Sequence, residues 1–120
     1  MAWECPSYML PGIEAGADLS AKQYYCVKLN SSGKAVLASV AGESVVGILN
    51  NKPTSGVAAQ IMAQGVSKAI VGTAGVTANS PVAVDANGAI VNAAGSDVVV
   101  GVALETGTLA QLVPVLIARA

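Results

Sequence analysis

The sequence predicts an all-β fold: a barrel or sandwich built from two similar β-units, with an extended N-terminal arm. Three observations carry this expectation. Hydrophobic residues make up 53% of the chain while aromatics are 3% and Phe is absent, so the apolar mass is Ala, Val, Leu and Ile interleaved with 13 Gly. Small and β-branched side chains suit thin packed β-layers better than a core built on large aromatic anchors. The apolar runs are also short, near five residues, with turn signals roughly every eight to twelve, the spacing of sandwiches and barrels. Finally, one half of the body echoes the other.

In chain order, residues 1–20 stand apart as the arm. They hold the only Trp, one of three Tyr, two of three Met and two of five Pro. Pro6 and Pro11 block continuous helix or ladder pairing, and Gly12 and Gly16 loosen the backbone further. Residues 21–120 form a single barrel-like domain. Strands are expected at Gln23 to Leu29, Lys34 to Ala38, Val45 to Leu49, Val57 to Ala63 and Val66 to Val71. Further strands are expected at Pro81 to Val84, Ala89 to Val91, Val98 to Leu104 and Leu112 to Ile117. Asn30 to Gly33 and Asn50 to Gly56 read as turns. Asn87-Gly88 reads as a type I′ hairpin turn, in which both residues accept positive φ.

The echo pairs VKLNSSGKAVLASVAGESVVGIL (27–49) with VAVDANGAIVNAAGSDVVVGVAL (82–104). Gly33 falls on Gly88, Glu43 on Asp97 and Val45-Val46-Gly47 on Val99-Val100-Gly101. Carried to the following strand, the repeat spans 27–63 and 82–117. A Gly inside an apolar strand marks a bulge, a bend or a close backbone approach.

Chemistry is hard to place here. No His is present, and the carboxylates Glu4, Glu14, Asp18, Glu43, Asp85, Asp97 and Glu105 are scattered singly. Without a proton shuttle near neutral pH or a cluster of partners around a base or nucleophile, the chain is expected not to be an enzyme. Glu43 and Asp97 read as turn or strand-start residues. Two cysteines and no His do not make an ordinary zinc site. Asp85-Ala86-Asn87-Gly88 resembles the start of a calcium loop, but the twelfth position is Ser96 where that motif needs Glu. No cofactor and no metal are expected.

Six Lys plus Arg against seven Asp plus Glu leave a net charge of −1 and no basic stripe, so nucleic acid is not an expected partner. The longest apolar stretch, Val98 to Leu104, is far short of the roughly 20 residues of a spanning helix, so no membrane is expected. The N-terminus lacks the basic and apolar regions of a signal peptide. Synthesis is therefore expected in a reducing cytoplasm, with Cys5 and Cys26 not joined in a disulfide. With only 11% charged residues, part of the surface is expected to be covered by a partner.

The stretch GADLSAKQYYCVKLNSSGKAVLA, then VVGILNNKP, NSPVAVDANGAIV and VVVGVALE, resembles the small capsid cement or head decoration proteins of tailed phages. The resemblance covers residues 15 to 117, through many weakly specific positions. It implies a compact β-barrel or β-tulip-like body that sits as a homotrimer on the outer surface of an icosahedral phage head. There it would bridge major capsid protein subunits and resist internal DNA pressure, after synthesis in the host bacterial cytoplasm. The first 14 residues depart from the family pattern. Their anchors Trp3, Tyr8, Met9, Leu10 and Ile13 are the types that carry interface energy. They are the candidate binding residues, whether the arm reaches the capsid, a neighbouring subunit or its own barrel. The alternative is a small β-barrel ligand- or carbohydrate-binding module, for which the body offers Tyr24 and Tyr25.

Overall fold

The computed structural model describes residues 8–10 and 12–117. They form one antiparallel sheet with no helix, curled into an open half-barrel. Its strands are β1 (Tyr8–Leu10), β2 (Cys26–Leu29), β3 (Ala35–Leu37), β4 (Gly47–Leu49) and β5 (Ile61–Ile70). β6 (Pro81–Val84), β7 (Ile90–Asn92), β8 (Gly101–Ala103) and β9 (Leu112–Ile117) follow. The spatial order is β3-β2-β4-β5-β9-β8-β6-β7, with β1 added on β5. Read from either end, the order visits a hairpin, a short strand and a central strand.

Both halves pair in the same way. Val27, Lys28 and Leu29 face Leu37, Val36 and Ala35, while Val82, Ala83 and Val84 face Asn92, Val91 and Ile90. Ile48 and Leu49 face Met62 and Ile61, and Val102 and Ala103 face Leu116 and Val115. The parallel bridge Ala15 to Ala35 has its counterpart in Val71 to Ile90. The glycines of the two Val-Val-Gly segments mark a close approach. A Cβ on Gly47 would collide with the Met62 carbonyl oxygen, and one on Gly101 with that of Leu116.

Several local expectations change. The strands expected from Gln23 and from Val45 begin only at Cys26 and Gly47, with Tyr24 in left-handed backbone before the first. The strands expected at Val57 to Ala63 and Val66 to Val71 are one ten-residue strand, β5. Gly65 (φ 115°) lies where the strand changes partners, held by β4 and β1 over its first half and by β9 over its second. Val57 instead closes a turn, donating its N–H to the Thr54 carbonyl. The run Val98 to Leu104 contributes only Gly101–Ala103 to the sheet, since Val98 and Val99 lie exposed before it.

The Asn87-Gly88 turn is not type I′, because only Gly88 takes positive φ. Gly88 N–H donates to the Asp85 carbonyl, and Asp85 N–H donates to the Ala89 carbonyl. The Asp85 carboxylate accepts the N–H groups of Asn87 (2.8 Å) and Ala89 (3.0 Å), which fixes a longer loop closed by a left-handed Gly. Asn30 builds the same loop in the first half, accepting from Ser32 and Lys34.

The core has two parts. The larger joins Cys26, Ile48 and Val45 to most of the second half. The smaller contains Ala15, Leu19, Val27, Ala35, Leu49, Ala59 and Ile61, with Leu10 and Ile13 packed on it. Among the described residues no buried side-chain polar atom lacks a hydrogen-bond partner. Ser67, the one buried polar residue among those described, donates to the Lys68 carbonyl and accepts from Asn50.

Candidate functional site

Of the five arm anchors, Trp3 lies outside the described residues, as does Cys5. Tyr8 enters the structure through its backbone, in register with Gln64. Met9 is exposed, whereas Leu10 and Ile13 are half-buried against the smaller core. From Gly12 onward the segment is woven into the body. Glu14 and Ala15 form bridges to Ala58 and Ala35, and Ala15 and Leu19 are buried.

The outer face of the sheet carries an apolar surface that sequence reading did not isolate. Residues directly opposite one another on neighbouring strands share a face. Pro81 stands opposite Val102, Val102 opposite Leu116, and Leu116 opposite Val66, so one row crosses β6, β8, β9 and β5. Lys68 with Pro114 and Ile70 with Leu112 extend it along β5 and β9. Val66, Leu112 and Leu116 are 37%, 47% and 39% exposed, and Lys68 is the only charge in these rows. Strand alternation could have suggested it: Gly65, Ser67 and Ala69 point inward, leaving Val66 outward.

A second feature is an open cleft of about 460 Å³ lined by Ser20, Ala21, Gln23, Tyr24, Tyr25, Lys52, Ile70, Ala110 and Leu112. An adjoining cleft of about 390 Å³ shares the wall formed by Tyr25, Ile70 and Ala110. The Lys22 ammonium sits 4.9 Å from the centre of the Tyr25 ring, within cation–π range. Tyr24 (φ 72°) and Ala110 (φ 67°) both hold left-handed backbone, a conformation that non-glycine residues seldom adopt. Hydrogen bonds hold both in place. Tyr24 N–H donates to the Leu49 carbonyl at 2.6 Å, and Ala110 N–H to that of Val71 at 2.9 Å.

The carboxylates do structural work. Glu43 accepts N–H groups of Ser39 (2.7 Å) and Val40 (2.8 Å) and pairs with the Lys28 ammonium at 3.0 Å. Burial acts against its charge. The two backbone donors and Lys28 outweigh it and hold the carboxyl below the usual glutamate value. Asp97, its counterpart, accepts the N–H of Ala94. Asp18 is held low by the hydroxyl and N–H of Ser20. Among the described residues no group of three or more His, Cys, Asp or Glu side chains is placed to hold a metal ion.

No family model and no curated protein matches the chain. Its fold is similar to that of the N base of the head fiber gp8.5 of bacteriophage phi29. The TM-score is 0.70 with 15% sequence identity, covering 98% of this chain and 97% of that one.

Proposed function

We propose that this chain is a structural protein of a tailed-phage head. In this reading it is a cement or decoration protein that binds the outside of the icosahedral shell as a homotrimer. It bridges major capsid subunits and stabilises the shell against internal DNA pressure. The observation that carries the reading is the likeness in fold, over nearly the whole of both chains, to a protein described as the base of a phage head fiber. The sequence pattern over residues 15 to 117 points independently to phage head proteins.

The chemistry suits the role. Docking needs a rigid body and complementary surface, and no reactive group. The carboxylates of Glu43, Asp85 and Asp97 are occupied by backbone donors. The row Pro81–Val102–Leu116–Val66 offers apolar area on a hydrogen-bonded sheet, so little order is lost when it is covered. We assign the shell contact to this face. Contacts that are weak singly add up when three subunits bind together through effective concentration.

The test is to mix the protein with expanded, undecorated capsids, sediment them, and follow their thermal rupture. Co-sedimentation with a higher rupture temperature is the expected result. Leu116→Asp should fold normally, its side chain being exposed, and bind at least about tenfold more weakly, the effect of losing one interface anchor. Absence of co-sedimentation would sink the proposal, and undiminished binding by Leu116→Asp would move the contact to another face.

A further inference from the structure

Among the left-handed backbone positions of the two halves, two pairs correspond but differ in residue type. Tyr24 matches Asn79 (φ 68°): their N–H groups donate to Leu49 and Ala103, which are themselves equivalent. Gly56 (φ 83°) matches Ala110: their N–H groups donate to Ala15 and Val71, again equivalent. The fold thus demands left-handed backbone at both positions in both halves. In each pair one half uses a residue that accepts the conformation readily, Asn79 or Gly56, and the other uses one that resists it, Tyr24 or Ala110. The two resisting residues come from opposite halves of the chain, yet both line the same cleft. Strained residues held where an unstrained one would serve the fold collect at ligand sites.

The lining indicates the ligand. Tyr24 and Tyr25 provide aromatic surface beside Ile70 and Leu112, Lys52 provides positive charge, and no carboxylate lines the cleft. Lys22, which lines the adjoining cleft together with Asp85, places a second cation over the shared Tyr25 ring. Ser20 provides a hydroxyl, and the Gln23 side chain is anchored by donating to the Asn50 carbonyl at 3.0 Å. An aromatic wall with a cation and small polar groups fits a ring that has an apolar face, hydroxyls and one negative charge. We infer that the Tyr24–Lys52–Ala110 cleft is a binding site for acidic saccharides, with the Tyr24 ring against the sugar and Lys52 against its acid group. This site adjoins the face assigned to the shell, sharing Ile70 and Leu112 with it, and its test uses the isolated protein so that it can fail independently of capsid binding.

The experiment titrates the labelled protein with tetragalacturonate and, as neutral counterpart, maltotetraose, following backbone amide shifts. Tetragalacturonate should give saturable shifts at Tyr24, Lys52 and Leu112 with a Kd on the order of 1 mM, and maltotetraose should bind at least about tenfold more weakly. Tyr24→Asn installs the residue that the second half uses at this position. It should abolish binding while leaving the melting temperature unchanged or raised. Lys52→Gln should weaken binding and flatten its salt dependence. The inference is overturned if no saturable shifts appear, if the neutral sugar binds equally, or if binding survives Tyr24→Asn. A lowered melting temperature for Tyr24→Asn also overturns it, because the ring would then be a structural prop.

Discussion

The two halves of the sheet share one pairing scheme but fill it differently. In the first half Ala15, Val27, Ala35, Leu49, Ala59 and Ile61 occupy the positions that Val71, Val82, Ile90, Ala103, Val113 and Val115 occupy in the second. Three alanines of the first half thus stand where the second half has Val, Ile and Val, and Leu49 and Ile61, larger than Ala103 and Val115, offset only part of the difference. A core does not tolerate that missing volume as a void. The first half makes it up from outside the repeated unit, with Leu10 and Ile13 packed on the same cluster. The backbone plan is common to both halves, and the means of closing it is not.

The largest effects should come where the halves are identical. Gly47 and Gly101 each leave no room for a Cβ against a neighbouring strand's carbonyl, so the obstruction is backbone and cannot swing aside. Gly47→Ala and Gly101→Ala should each cost about 3 kcal/mol or unfold the chain, because relief requires the strands to part. Urea unfolding of both variants checks this. A loss under about 1 kcal/mol at either would mean that the close approach is not essential in that half.

Where the halves differ, the effect should be smaller and one-sided. Leu10→Ala and Ile13→Ala remove half-buried side chains that stand in for core volume, and each should cost about 1–2 kcal/mol. Met9→Ala, on the exposed side of the same strand, should change stability by less than about 0.5 kcal/mol. The denaturant midpoints of the three variants, at constant m-value, decide the matter. Equal effects for Leu10 and Met9 would deny the N-terminal segment its packing role.

The legibility of the fold follows the same division. Pro81–Val84 and Leu112–Ile117 could be read to the residue from sequence, since turn residues flank apolar runs there. The Val-Val-Gly glycines stood out because both halves carry them, though the sequence left a bulge, a bend and a close approach open and only the packing of Gly47 and Gly101 decides for the last. Val98 and Val99 misled, because an apolar run reads as strand whether or not a partner strand lies beside it. The join at Gly65 was hidden because a glycine punctuates a strand as readily as it kinks one. The cleft was invisible as a site. Tyr24 and Tyr25 stood out as the aromatics of the body, but Ala110 and Leu112 reach them only through the β5–β9 pairing, and Lys52 through the loop that follows β4.

The smallest expected effect sharpens the comparison most, because it predicts gain in one half and loss in the other. Ala110 and Gly56 hold the same left-handed backbone, and a Cβ at Gly56 would meet nothing within 4 Å. Sterics with neighbours therefore drop out, leaving the intrinsic preference of the residue for that φ. Gly tolerates it and Ala does not, a difference of roughly 1 kcal/mol, reduced by the greater freedom that Gly gives the unfolded chain. Ala110→Gly should thus stabilise the protein by about 0.5 kcal/mol and Gly56→Ala should destabilise it by a similar amount, read as opposite shifts in melting temperature. If Ala110→Gly destabilised the fold instead, the Ala110 methyl would owe its place to packing. Its strain would then say nothing about the cleft it lines.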